Sequence, residues 1–82
     1  MENIITITYC APCQFKKQAD KLAKELKAEF GERLTDVFLE PSQTMGNFEI
    51  TINEVLIFSR IKSGRFPLPG EISKLLMTRI YQ

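Results

Sequence analysis

The change of hydrophobic period on either side of Cys10-Ala11-Pro12-Cys13 does most to limit how this chain can fold. Before it, Ile5 and Ile7 alternate with Thr6 and Thr8, and most residues from Asn3 to Thr8 are β-branched. That is the pattern of a half-buried strand. After it, Phe15, Ala19, Leu22, Ala23, Leu26 and Phe30 recur at spacings of three and four. They form one apolar stripe and predict an amphipathic helix from about Cys13 to Phe30. Lys16, Lys17, Asp20, Lys21, Lys24, Lys27 and Glu29 fill its other faces. Tyr9 to Cys13 is then a turn between strand and helix. Pro12, with no N–H to donate, suits the first helical turn, and Gly31 suits the residue that ends the helix.

The rest of the chain continues in short elements. Leu34 to Glu40 reads as a second strand through Val37, Phe38 and Leu39, stopped by Pro41 and Ser42. Phe48, Ile50 and Ile52 alternate with Glu49, Thr51 and Asn53 in a third strand, and Val55 to Ile61 is a fourth. Asn53-Glu54 has the length of a tight hairpin turn, although glutamate stands where glycine is favoured. Ser63 to Gly70 reads as a loop, and Glu71 to Tyr81 as a second amphipathic helix with Ile72, Leu75, Leu76 and Ile80 on its stripe. The order β-α-β-β-β-α predicts an α/β, thioredoxin-like domain over residues 1–82: a four-stranded mixed sheet with two helices. Its first β-α-β is parallel with a right-handed crossover. No repeat, low-complexity tract or linker divides it.

Composition narrows the function. A chain of 82 residues fits one domain. Eleven basic residues against ten acidic ones leave a net charge of +1, which exerts no long-range pull on nucleic acid or on an anionic membrane. No apolar run reaches the roughly 20 residues of a membrane span. Met1-Glu2-Asn3-Ile4 lacks the basic and apolar regions of an export signal. These features predict a cytoplasmic protein with no nucleic-acid or membrane partner, in a compartment that keeps thiols reduced. The sequence contains no histidine, which removes Ser-His and Cys-His catalysis and histidine metal ligands together.

Cys10 and Cys13 are therefore the candidate catalytic pair. Unpaired N–H groups at a helix N-terminus favour an anion, so a thiolate is stabilised there. Two intervening residues let the sulfurs close a disulfide within one turn. The cysteine nearer the N-terminus is normally the more exposed; it attacks a substrate disulfide, and the second resolves the mixed disulfide. Lys16 and Lys17, one turn on, add positive potential. A purely structural disulfide is a poor alternative, because so small a loop constrains the unfolded chain little. A soft-metal carrier is the rival use. Ferredoxin-like metal chaperones also carry Cys-x-x-Cys after a first strand, Thr8-Tyr9-Cys10 matches their Thr-x-Cys, and two thiolates suit Cu(I). Two ligands do not complete a tetrahedral zinc site, and no resident metal or bound cofactor is expected. Those chaperones finish on a strand, whereas Ile72 to Ile80 has helical spacing; Pro12 also favours the redox reading. A third reading is an interaction module in which the dithiol senses oxidation.

Four segments carry a more specific pattern: Tyr9-Cys10-Ala11-Pro12-Cys13, Gly46-Asn47-Phe48-Glu49-Ile50, Ile57-Phe58-Ser59-Arg60 and Gly64-Arg65-Phe66-Pro67. Together they resemble the selenoprotein W-like (Rdx) family over nearly the whole chain. The resemblance implies a thioredoxin-like fold and a thiol-disulfide oxidoreductase role, with glutathione or a disulfide-bearing protein as partner. In selenocysteine-containing members that residue occupies the position matched by Cys13, so family logic makes Cys13 the reactive atom where thioredoxin logic makes it Cys10. The cis-proline that faces the dithiol in thioredoxins has no counterpart before the third strand, where Gly46 and Asn47 stand.

Tyr9, Pro12, Gly46, Phe48 and Phe66 are the candidate partner-binding residues. Phe48 continues the apolar face of its strand and reads first as core. Gly46 reads first as a turn former that also lets a partner backbone approach the sulfurs. Tyr9 packs, or bonds near Cys10 through its hydroxyl. By the family pattern, Phe66 and Pro67 form an exposed apolar lip beside the dithiol. Arg60 reads as a solvated charge on a strand.

Overall fold

The computed structural model describes residues 2–81; Met1 and Gln82, the ends of the expected 1–82 domain, lie outside it. Strand β1 (Ile4–Cys10) leads into helix α1 (Lys16–Phe30), a 3-10 turn (Gly31–Arg33) and strand β2 (Asp36–Ser42). Strands β3 (Phe48–Ile52) and β4 (Val55–Ser59) form a hairpin, followed by a one-turn helix α2 (Arg60–Ser63) and the last helix α3 (Glu71–Ile80). The four strands lie in the order β2-β1-β3-β4. β1 is parallel to β2 and antiparallel to β3, so the sheet is mixed, as expected. Among the described residues, no helix is long and apolar enough to cross a membrane.

One face of the sheet carries the core. Ile5, Ile7 and Tyr9 of β1, Phe48, Ile50 and Ile52 of β3, and Phe58 of β4 pack with Ala19, Ala23, Leu26 and Phe30 of α1 and with Ile72 and Leu76 of α3. The period-2 and period-3.6 stripes thus meet each other, and each fully buried Ile or Leu contributes about 1.5–3 kcal/mol. The opposite face holds Thr6 and Thr51 between Phe38 and Leu56, and Phe38 is 50% exposed there. Its exposure follows from strand alternation, which turns it away from the core face.

Several boundaries differ from the sequence-based expectation. β1 runs on through Tyr9 and Cys10, which were expected in the turn, because both stay paired to β2, and β2 begins at Asp36 instead of Leu34. Helix α1 starts at Lys16 instead of Cys13, because Gln14 takes φ 62°, a left-handed value that cannot lie inside a helix. Pro12 therefore sits in a turn ahead of the helix. β2 runs through Pro41 and Ser42, which were expected to stop it. It is an edge strand, where a residue without an N–H costs no ladder bond. β4 ends at Ser59 instead of Ile61. There the Ser59 hydroxyl accepts from the Lys62 N–H and starts the unexpected helix α2. The expected helix to Tyr81 ends at Ile80.

The β3–β4 turn uses Asn53 and Glu54 at φ 49° and 71°, both left-handed, as a two-residue hairpin of this twist requires. Asn53 also clamps the turn to β1: its Oδ1 accepts from Ile4 N–H at 2.8 Å and its Nδ2 donates to Glu2 O at 2.9 Å. Two substitutions at this tip are expected to act in opposite directions. Asn53→Ala loses both bonds and the tolerance of the left-handed region that asparagine has over alanine, a loss of about 1–2 kcal/mol. Glu54→Gly relieves the left-handed strain and gains about 0.5–1 kcal/mol. Urea unfolding of the two variants checks the signs.

The loop before α3 is tied by Glu71. Its carboxylate takes Arg65 Nη1 at 2.7 Å and Nη2 at 2.9 Å, and the Leu68 N–H at 2.9 Å. The Arg65 guanidinium first, and then that N–H, pull the Glu71 carboxyl down to about 2. A depressed folded value means that the tie is complete above the ordinary carboxylate range near 4.3 and is lost as pH falls toward 2. A carboxyl NMR titration is expected to place Glu71 near 2 in the wild type and higher in Arg65→Ala, where the Leu68 N–H alone still holds it below the ordinary range.

Candidate functional site

Strand pairing delivers the first sulfur. β1 stays paired to β2 up to Cys10 opposite Ser42. Just past the ladder, Cys10 N–H donates to Asn47 O at 2.7 Å and Ala11 N–H to Ser42 O at 2.9 Å. Held on both sides, the chain then folds back. Gln14 N–H donates to Ala11 O at 3.0 Å, and Phe15 N–H to Cys10 O at 3.3 Å. The left-handed Gln14 makes this bend possible at a cost of about 1–2 kcal/mol, backbone strain located at the dithiol itself.

Cys10 and Cys13 are joined as a disulfide, with Cα atoms 5.3 Å apart. Cys10 is 0% exposed, whereas Cys13 is only partly buried. This reverses the expectation that the first cysteine is the more exposed. Cys10 ends a strand pinned on both sides within the sheet, while Cys13 lies on the outer limb of the turn.

Each sulfur accepts one backbone N–H. Cys13 N–H points at Cys10 Sγ at 3.2 Å, and Gly46 N–H at Cys13 Sγ at 3.3 Å. The amide donors expected from a helix N-terminus are therefore supplied differently. Gln14 and Phe15 separate the pair from the start of α1, and the loop before β3 supplies the donor to Cys13 instead. Such N–H groups favour the thiolate over the thiol when the pair is reduced. Lys16, at the start of α1, pairs with Asp20 at 3.0 Å, and that hydrogen bond raises its own pKa.

Gly46 is at φ 77°, which favours glycine, and a Cβ there would lie 3.2 Å from Arg60 Nη1. The glycine thus turns the chain, and its own N–H meets the sulfur where a partner's backbone was expected. Phe48 is buried in the core, as its strand pattern predicts, and Tyr9 lies opposite it in the same core. Pro12 is exposed beside Cys13. Phe66 is not an exposed lip. It is partly buried, edge-on to Phe15 at 4.8 Å and to Phe48 at 5.2 Å between ring centres. The exposed apolar residue of that loop is Leu68. Next to it, Leu22, Phe48, Phe66, Pro67 and Ile72 line an open groove of about 260 Å³.

Arg60 is the site residue that sequence reasoning missed. It is partly buried instead of solvated. Its guanidinium carbon lies 5.2 Å from the Phe15 ring centre and 5.0 Å from that of Phe66, and Nη1 donates to Gly46 O at 3.3 Å. Strand alternation misplaced it because β4 ends at Ser59, before it reaches Arg60. The Ser59-Arg60 step in the family pattern was the one signal available.

The comparisons agree with this architecture. The sequence model of the Rdx family matches residues 4–78. The chain is 32% identical over 72 residues to Migration and invasion enhancer 1 of Mus musculus, covering 88% of this chain and 60% of the mouse protein. It is 35% identical over 68 residues to the Bos taurus protein of the same name, covering 83% of this chain and 56% of that protein. It thus spans less than two thirds of the length of these curated relatives. Among solved structures, a selenoprotein W-related protein from Vibrio cholerae superposes with a TM-score of 0.91 at 32% identity, covering 98% of this chain and 99% of that one. A Bordetella parapertussis protein gives 0.91 at 32% identity, covering 96% and 99%. With its close Cys-x-x-Cys pair, which points to a redox role, and a match over residues 4–78, the chain belongs to the Rdx family.

Proposed function

We propose that the protein is a cytoplasmic thiol-disulfide oxidoreductase in which Cys13 attacks and Cys10 resolves. The observation that carries this reading is the difference in burial: Cys10 Sγ is shut inside, while Cys13 is partly open and holds the Gly46 N–H. The Cys13 thiolate attacks one sulfur of a substrate disulfide, displacing the other as a thiolate that takes a proton. The resulting mixed disulfide sits on Cys13. The Cys10 thiolate then attacks Cys13 Sγ, forming the Cys10–Cys13 bond and releasing the second substrate thiol. Substrate gains two electrons and the pair loses two. Two glutathione molecules return them, leaving as glutathione disulfide. No bound cofactor takes part, and the substrate is a glutathione adduct or a disulfide-bearing protein. The backbone amide on Cys13 supports its role, since it stabilises the anion both as attacking and as leaving group.

Single-cysteine variants test the assignment. Incubated with glutathione disulfide, Cys10→Ser is expected to accumulate one glutathione adduct on Cys13, read by mass spectrometry, because nothing resolves it. Cys13→Ser is expected to stay unmodified, its remaining sulfur being buried. In the reduced wild type, iodoacetamide is expected to label Cys13 first. Adduct formation only on Cys10 would reverse the roles, and none on either would remove the oxidoreductase reading.

A further inference from the structure

We propose that Arg60 is a positioning residue that keeps the Gly46 N–H on Cys13 Sγ and thereby makes the Cys13 thiol more acidic. The inference rests on the reading of Cys13 as the reactive sulfur. Two contacts in series connect the residues: Arg60 Nη1 to Gly46 O at 3.3 Å, and Gly46 N to Cys13 Sγ at 3.3 Å. The carbonyl and the amide lie on either side of one Cα, so a cation holding the first sets the direction of the second. Glycine is the residue least able to hold that direction unaided.

Arg60 is itself fixed. Phe15, from the turn that carries the dithiol, and Phe66, from the loop before α3, flank the guanidinium at 5.2 and 5.0 Å. The two rings also touch each other edge-on at 4.8 Å. Arg60 Nε is buried with no hydrogen-bond partner among the described residues. A donor left bare in this way costs stability, and an aliphatic residue would stack there without that cost. Partial burial between the two rings also lessens the screening of the charge by water. Of the other charges on the flanking elements, Lys16 pairs with Asp20, Arg65 with Glu71 and Glu49 with the Ser59 hydroxyl, while Lys17 of α1 and Lys62 of α2 are exposed to solvent. Arg60 is the cation joined to the sulfur by hydrogen bonds through Gly46.

The test is the pH dependence of iodoacetamide alkylation at Cys13 in the reduced protein, which needs neither a partner nor turnover. Arg60→Gln is expected to raise the midpoint by about one pH unit, lowering the thiolate fraction below that midpoint about tenfold. Arg60→Lys, which retains the charge, is expected to recover most of the shift. An unchanged midpoint in Arg60→Gln overturns the assignment. So does an equal shift in both variants that tracks a loss of melting temperature, since that marks a structural role alone. If Arg60→Gln fails to fold, NMR of the wild type decides. The Gly46 amide proton and the Arg60 Nε proton are expected to move with Cys13 ionisation, and no movement in either overturns the assignment. A protein with the shifted thiol but no glutathione exchange would refute the oxidoreductase reading and leave this inference standing.

Discussion

The backbone pairing that runs to the very end of β1 holds the functional end of this molecule together. Cys10 is bonded through its N–H to Asn47 on one side, and the next N–H goes to Ser42 on the other. A chain gripped on both edges has no freedom to drift. It must turn over the sheet end within a few residues, and the left-handed Gln14 accomplishes that turn. Depth follows from the same constraint. The sulfur on the gripped residue lies inside, and the sulfur three residues later lies toward solvent. A partly open and a shielded sulfur in one short loop suit the sequential attack and resolution of a disulfide exchange.

A second layer of the site is assembled from segments far apart in sequence. Phe15, Gly46, Arg60 and Phe66 come from the dithiol turn, the loop before β3, helix α2 and the loop before α3. The aromatic rings confine the guanidinium, the guanidinium holds a carbonyl, and the neighbouring amide meets the sulfur. Phe66 also touches Phe48, so the cluster is rooted in the core. Helix α2 is the small element that makes this possible. By ending β4 at Ser59, it gives Arg60 a helical backbone in place of the extended one of the strand.

Much of the fold was legible because burial on one face imposes a period. Ile5 and Ile7, Ile50 and Ile52, and Ala19, Ala23, Leu26 and Phe30 announce their elements and end in the same core. The dithiol was legible from its place between those periods. The start of α1 was not, since the stripe runs back smoothly toward Cys13 and nothing in the letters Gln14-Phe15 signals a left-handed residue. Pro41 was misread because a proline stops an inner strand but not an edge strand, and strand order is a property of the whole sheet. Phe66 was placed outside because a loop sequence carries no record of which aromatic rings will meet it.

The sequence by itself determined the element order, the apolar faces and the position of two sulfurs between a strand and a helix. Those features follow from local chain geometry and from the requirement that apolar stripes leave water. Only the tertiary structure decided which sulfur is partly open, which amide faces it and which cation bonds the carbonyl of that same glycine. These depend on contacts such as Gly46 with Cys13 and Arg60 with Phe15, between residues tens of positions apart. No periodicity links such residues, and they meet only once the sheet and both long helices have set the distances between their loops.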